Sequence, residues 1–231
     1  MATPASTMKP AGPQPASGTE TEAARYALLR RLAPSIRHHL VVNLQPIGMI
    51  HEVMERRLRV PQPDLHEVRE SAQKINGFAR AALDSSLDVV SWLAPPPDAV
   101  IAPMEGVREC FALLATSLTF RGYALRNEMT ALPGTVARSA VRNVLTAALL
   151  HMTDESPPPA EIELSGERRE DSMVLALTLR AGDGETGFAP ESPYRALTWD
   201  DMQAIAAAEG VALSHDGRQR IAIAVPFAES R

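Results

Sequence analysis

Two long runs of apolar residues at helical spacing, separated by a short proline-containing break, constrain this chain most strongly. In the first run, from about Thr21 to about Arg59, apolar residues recur three or four positions apart, which predicts a long amphipathic helix. Val60-Pro61-Gln62-Pro63 interrupts it, Asp64 is a suitable cap for a second helix, and the second run continues to Leu93. Two long helices with a short connection predict an antiparallel hairpin. Because a lone hairpin buries little apolar surface, we expect it to pair with a second copy as a dimeric four-helix bundle.

The apolar stripe of each predicted helix follows from this spacing. Pro34 and Pro46 lie inside the first helix and favour a kink there. The stripe of the first helix consists of Leu28, Leu32, Ile36, Leu40, Leu44, Ile47, Ile50, Met54 and Leu58. The stripe of the second helix consists of Leu65, Val68, Ala72, Ile75, Ala79, Ala82, Leu83, Leu87, Val90 and Leu93.

A proline-rich stretch, Ala94-Pro95-Pro96-Pro97, indicates a stiff linker after the hairpin. The chain is therefore divided into a disordered leader (1–20), a hairpin domain (21–94), a linker (95–103) and a second domain (104–231). In the second domain we predict helices over 104–120, 136–152 and 198–208, strands over 124–129, 161–165, 173–179, 211–214 and 220–225, and a loop over 182–194. The predicted fold class is α+β: a helical hairpin followed by a small α/β sandwich with helices on one face of a mixed sheet.

Composition and charge exclude several classes of function. A net charge of −5 at pH 7 argues against a nucleic-acid-binding protein, which usually carries a basic face. The single cysteine, Cys110, excludes an internal disulfide and a cysteine-based metal site, and its apolar surroundings predict a reduced core thiol. No apolar run approaches about 18 residues and the N-terminus lacks the apolar core of a signal peptide, so we expect a cytoplasmic protein without a membrane span.

A pair of histidines, His38 and His39, lies in the middle of the first predicted helix. A neutral imidazole nitrogen is a nucleophile near physiological pH. At 100° per residue, His38 lies well off the apolar stripe and is predicted to face solvent, whereas His39 lies nearer the buried edge. Neighbouring helix residues point about 100° apart, so the pair is a poor metal site. The alternative interpretation is that both are surface residues without a role, as we expect for His51 and His66.

This stretch resembles the dimerisation and phosphoacceptor domain of sensor histidine kinases. In that family the phospho-accepting histidine is followed by apolar residues two, six and nine positions later, and with His38 as the acceptor these are Leu40, Leu44 and Ile47. The order of elements after the linker is similar to that of the family's ATP-binding domain. The resemblance implies that His38 accepts a phosphoryl group, and a one-residue error in helix phase would exchange it with His39. The residues expected to support the acceptor are Arg37, His39 and Asn43.

Several of the residues that the family uses for autophosphorylation are absent from this sequence. His39 replaces the acidic residue that follows the acceptor and acts as general base, and Val42 occupies the position that often carries Thr or Asn. The asparagine that would hold Mg²⁺ falls at Ala147, and Asn143, one turn earlier, matches a non-ligating position.

The glycine-rich motifs for nucleotide are also incomplete. In Asp183-Gly184-Glu185-Thr186-Gly187, Glu185 replaces the middle glycine of the family's adenine-reading loop, and the same residues are equally consistent with a simple turn. The range 188–201, where the family has a glycine-rich phosphate-binding lid, contains no glycine.

The resemblance therefore implies a histidine phosphotransferase of a bacterial phosphorelay with a degenerate ATPase-like domain. It would pass a phosphoryl group between His38 and aspartates of response-regulator receiver domains, with a sensor kinase as a further partner. The receiver would supply the Mg²⁺, so that this chain needs no cofactor or metal of its own. A non-catalytic dimeric adaptor is the second hypothesis, and an active kinase with unusual motifs is the third. The expected docking surface combines the second helix with Gln45, Met49 and Glu52.

Overall fold

The computed structural model describes residues 18–96, 98–184, 187, 194–217 and 219–228, and it begins with the predicted helical hairpin. Helix α1 (Gly18–Leu58) continues through both internal prolines, and helix α2 (Leu65–Leu93) follows a short turn. The cap prediction is confirmed, because the Asp64 side chain accepts a hydrogen bond of 2.8 Å from the backbone N–H of His66. The leader prediction is wrong for 18–20, which are helical. Glu20 favours the helix there by placing a negative charge at the N-terminal end of its dipole. The rest of the predicted leader lies outside the described residues.

Helix α2 has two apolar sides. The side that packs on α1 carries residues at alternating spacings of four and three: Ser71, Ile75, Phe78, Ala82, Ser85, Val89 and Trp92. A neighbouring side is exposed in this chain although the sequence places it in the apolar stripe. Its members are Leu65, Ala72, Ala79, Leu83, Leu87 and Val90. The stripe is therefore broader than one neighbouring helix covers.

The α/β part consists of a two-stranded ribbon, a five-stranded mixed sheet and helices packed on one face of that sheet, which confirms the predicted fold class. Its elements in chain order are β1 (Val100–Ile101), α3 (Pro103–Phe120), β2 (Tyr123–Asn127), β3 (Val136–Ala137), α4 (Arg138–Ala140), a π-helical segment (Val141–Leu145), α5 (Thr146–Glu155), β4 (Ala160–Arg169), β5 (Ser172–Ala181), α6 (Trp199–Ala208), β6 (Ala212–Asp216) and β7 (Arg220–Pro226).

The sheet order is β2-β4-β5-β7-β6, and only the β2–β4 pair is parallel. One face is apolar and buried: Ile162 and Leu164 of β4, Leu175 of β5 and Ile223 of β7 point into the core. The opposite face is polar and carries cross-strand ion pairs such as Arg180–Glu163 at 3.0 Å. This alternation places all three longer helices of the α/β part on one side of the sheet.

Three predicted boundaries in the α/β part are wrong for identifiable reasons. The polar residues 166–169, predicted as a loop, extend the β4–β5 hairpin to a tight turn at Glu170-Asp171, where Glu170 has φ +47°. The strand predicted over 124–129 ends at Asn127, because the Asn127 side chain accepts a hydrogen bond from the N–H of Met129 and turns the chain. The predicted linker contains β1, which pairs with the first two residues predicted as helix, 136–137.

The hairpin and the α/β part share one hydrophobic core. The first half of α1 contributes Ala24, Ala27, Leu28 and Leu32, which are buried together with the apolar faces of α3, α5 and α6. Two of these residues, Leu28 and Leu32, belong to the stripe that the sequence assigns to a helical bundle. The first half of α1 is thus part of the α/β core, and only its second half is available to a bundle.

Cys110 lies fully buried in this core, as predicted, and burial raises the pKa of its thiol. Among the helices of the described residues, none combines the length and apolar character required to cross a membrane.

Candidate functional site

The two histidines of α1 differ sharply in environment. The His38 side chain is exposed, as the helix phase predicts, and within the described residues it has no hydrogen-bond or ion-pair partner. His39 is half-buried, and its ring is nearly perpendicular to that of His38, at 86° with 6.3 Å between ring centroids. Of the two imidazoles, only that of His38 offers both ring nitrogens to a partner.

His39 connects α1 to the α/β part. Its Nε2 lies 3.1 Å from the backbone carbonyl oxygen of Ala112 in α3. Because a carbonyl oxygen only accepts, Nε2 must carry the proton and donate it. That nitrogen is therefore not available as a nucleophile in this arrangement.

The other predicted supporting residues occupy different places. Asn43 faces the inside of the hairpin, where its Nδ2 donates to the Ser85 hydroxyl at 2.9 Å and to the His39 carbonyl at 3.2 Å. It fixes α2 against α1 one turn below the histidine pair and does not join His38 at the surface. Arg37 is exposed beside His38.

An exposed strip of α1 extends from His38 toward the hairpin turn. Gln45, Met49 and Glu52 are all exposed and lie 7, 11 and 14 residues after His38, which places all of them within about 40° of it around the helix. Val42 and Val53 are exposed on the same flank and add apolar surface to the strip, a role that the sequence reasoning did not give them. The sequence could have indicated this role, because both valines are apolar residues that lie outside the predicted apolar stripe of α1.

A second exposed apolar surface lies on another side of the hairpin and is called here the leucine face. On α2 it includes Leu83, Leu87 and Val90, spaced four and three apart. On α1 it includes Leu44, which is 53% exposed although the sequence places it on the buried stripe. Leu44 is exposed because it is turned about 80° from Ile36, beyond the reach of α2.

A buried guanidinium locks α2 to the α/β part, and the sequence gave no sign of it. Arg142, in the π-helical segment, is only 2% exposed. Its Nε donates to Glu109 of α3 at 2.8 Å, its Nη1 to Ser91 at 2.8 Å and its Nη2 to Asp88 at 2.6 Å. The guanidinium also stacks on the Trp92 ring, 4.6 Å from its centroid. Arg138 donates to the same Glu109 carboxylate.

A second buried ion pair fixes the first half of α1 to α5. Arg31 Nη2 donates to Asp154 of α5 at 2.5 Å, and both side chains are about nine-tenths buried. Arg25 of α1 donates to Glu209 at 3.0 Å, and Glu209 also accepts from Ser139 and Asn143. These contacts hold the first half of α1 across α5 and α6.

In the kinase family that the sequence resembles, several positions of the ATP-binding domain hold the nucleotide. Two of the residues at or beside those positions in this chain are buried or bonded to other parts of the chain. Ala147 is fully buried and has no ligand atom, and Asn143 donates to Glu209 at 2.8 Å. Asp183 is exposed two residues after β5 ends, and Glu185 lies outside the described residues. A side chain at Gly187 would come within 2.3–2.6 Å of the backbone of 120–122, so packing alone requires this glycine. Within the described residues there is no group of three or more His, Cys, Asp or Glu arranged to hold a metal ion.

Comparison with known proteins gives similarity to solved structures only. No protein-family model matches the sequence. No curated protein matches it. A solved structure of a bacterial phosphotransferase is similar with a TM-score of 0.44 and 15% identity, over 91% of this chain and 97% of that chain. The Acinetobacter baumannii histidine kinase AdeS is similar with a TM-score of 0.42 and 14% identity, over 80% of this chain and 98% of that chain. Histidine kinase ThkA, solved in complex with response regulator protein TrrA, is similar with a TM-score of 0.43 and 14% identity, over 91% of this chain and 66% of that chain.

Proposed function

We propose that this chain is a histidine phosphotransferase that carries a phosphoryl group on His38 between aspartates of receiver domains in the cytoplasm, without using ATP. The observation that carries the proposal is the contrast between the histidines: His38 is exposed on a fixed helix, whereas the Nε2 of His39 is bound to Ala112. A nucleophile that must meet a partner protein needs an exposed nitrogen on a rigid support.

The proposed reaction is a reversible phosphoryl exchange. An imidazole nitrogen of His38 attacks the phosphorus of an aspartyl phosphate on the receiver. The P–O bond to the aspartate breaks as the P–N bond forms, the aspartate leaves as a carboxylate, and the charge of the phosphoimidazolium is relieved by loss of its remaining N–H proton to water. The reverse reaction delivers the group to another aspartate. Positioning and the receiver's Mg²⁺ stabilise the transition state.

Three observations on the α/β part support the absence of ATP binding. Ala147 is buried without a ligand atom, Asn143 is bonded to Glu209, and Asp154 on the same side of the helix is paired with Arg31. A nucleotide seated on this side would have to break these contacts and displace the first half of α1 from the core. The cost would include separation of the nearly buried Arg31–Asp154 ion pair, after which Arg121, 3.6 Å from Asp154, would remain as its partner.

The proposed active species is a homodimer formed through the leucine face. On each helix, the leucine-face residues follow the residues that contact the other helix in the same direction of rotation. In an antiparallel pair this places them on the same side of the hairpin, so Leu44 adjoins Leu83 and Leu87. A continuous apolar surface of this kind on two helices indicates a protein–protein contact. A second copy covers it symmetrically and completes a four-helix bundle. The His38 strip lies on another side of α1 and remains free for the receiver.

The experiment that tests the proposal follows phosphoryl transfer from purified receiver domains of the same organism, each charged with radiolabelled phosphate. Wild-type protein should acquire an acid-labile label, and His38→Ala and His38→Gln should acquire none. His66→Ala removes an exposed histidine far from the site and should label like wild type. The proposal is refuted if no receiver labels the wild-type protein or if His38→Ala is labelled equally.

A non-catalytic dimeric adaptor is the second candidate, because the bound position of His39 argues against kinase activity and an adaptor needs none. With its Nε2 bound to Ala112, His39 is poorly placed to act as the general base that active kinases have next to the acceptor. An adaptor would bind a receiver or a sensor kinase equally well with and without His38, so calorimetric affinities of wild type and His38→Ala separate it from the phosphotransferase. Equal affinities without any labelling would identify the adaptor.

A further inference from the structure

Three helices meet next to His38, at its neighbour His39, and each pair of helices is joined by a specific contact. Asn43 and Ser85 join α1 to α2, Arg142 joins α2 to α3 through Asp88 and Glu109, and His39 joins α1 to α3 through Ala112. The contact made by His39 is the closest of these to the acceptor in sequence.

The contact of His39 brings a particular side of α3 to the acceptor. Ala112 is exposed at its side chain, and Arg108 and Thr116, one turn before and after it, are exposed as well. Because residues four apart share a side of a helix, Arg108, Ala112 and Thr116 form one exposed strip on α3 next to His39. This strip and the His38 strip of α1 flank the same junction.

We infer that His39 is a positioning residue, which holds the exposed strip of α3 beside His38 so that one docked partner contacts both helices. The inference rests on the proposed function and adds the part of the surface that the receiver uses. His39 acts through a hydrogen bond to a backbone carbonyl and takes no part in the transfer itself. Arg108 supplies a cation on that strip, suited to the anionic surface around an aspartyl phosphate.

The test compares two phosphoryl donors of different size. Phosphoramidate needs no docking surface: the His38 nitrogen displaces ammonia as the donor's P–N bond breaks. A charged receiver domain needs the whole surface. His39→Ala should leave the rate of labelling by phosphoramidate within about twofold of wild type. The same variant should raise KM for the receiver about fivefold, because the loss of one net hydrogen bond corresponds to a factor of about that size.

Two further variants keep the inference falsifiable where His39→Ala perturbs folding. His39→Gln has an amide N–H that can donate to the Ala112 carbonyl and should recover most of the affinity. Arg108→Ala leaves an exposed position and should raise KM in the same way. His66→Ala serves as the control and should change neither reaction.

The possible outcomes separate the inference from the function on which it rests. Normal transfer with unchanged KM in both His39→Ala and Arg108→Ala overturns the inference alone. An equal loss with both donors in His39→Ala also overturns it, because His39 would then act on the chemistry of His38. A wild-type protein that neither donor labels overturns the proposed function and the inference with it.

Discussion

Glu109 is expected to be one of the most important charged residues for the stability of this protein. Its carboxylate accepts hydrogen bonds from both Arg138 and Arg142, and the Arg142 guanidinium is 2% exposed. Arginine does not lose its proton in proteins, so Glu109→Ala leaves a buried positive charge with less compensation. Removing one partner of a buried ion pair typically costs about 3–5 kcal/mol. Asp88 continues to bind Arg142 at 2.6 Å but is half exposed, so we expect a loss of about 2–3 kcal/mol.

The loss can be measured by urea unfolding followed through tryptophan fluorescence, to which Trp92, stacked on Arg142, contributes. For a chain of this length, the same loss lowers Tm by about 5–10 °C. Glu105→Ala is the nearby control: this exposed glutamate lies one turn earlier on α3, and its first-turn charge should contribute no more than about 1 kcal/mol. Equal stability of the two variants would refute the reasoning that the buried cluster depends on Glu109.

Two further predictions concern the acid stability of α6 and the leucine face. Hydrogen bonds from Arg195, and then from Thr198, lower the pKa of Asp201 to about 2, so its stabilisation is present above the unfolded pKa near 4 and is lost as the pH falls toward 2. Because Arg195 is half exposed, Asp201→Asn should lower the free energy of unfolding by only about 1 kcal/mol at pH 7. Thermal unfolding at pH 7, 4 and 3 should show the stability difference between this variant and wild type shrinking as the pH falls. A difference that stays constant would contradict the prediction. Replacing Leu83 and Leu87 by Asp should leave the folded chain intact and convert the proposed dimer to a monomer in sedimentation analysis, whereas Glu52→Ala, outside the leucine face, should not.

The periodicity of the sequence predicted most elements of this fold because the signals are local. The two hairpin helices, the Asp64 cap, the helix beginning after Thr198 and the strands β5 and β7 all follow from spacing and capping residues. The helix phase was also sufficient to predict that His38 is exposed. Its assignment as the phosphoacceptor stays a prediction, as do the roles of Gln45, Met49 and Glu52.

The parts that the sequence did not predict depend on contacts between distant residues. Arg142 and Glu109 are separated by 33 positions and Arg31 and Asp154 by 123, and neither pair has a spacing that marks it. The burial of Leu28 and Leu32 in the α/β core was missed because an amphipathic stripe specifies that a side is covered but not by what. For the same reason the pattern did not indicate that Asn43 faces inward toward Ser85.

Because α1 is continuous, the direction in which the proposed acceptor His38 points depends on the number of residues between it and the α/β core. Leu32 is anchored in the α/β core, and His38 follows six residues later on the same uninterrupted helix. Adding or deleting one residue between them would swing His38 by about 100° relative to α3 while the helix itself stayed whole. Evolution can therefore exchange side chains in this segment far more freely than it can change its length.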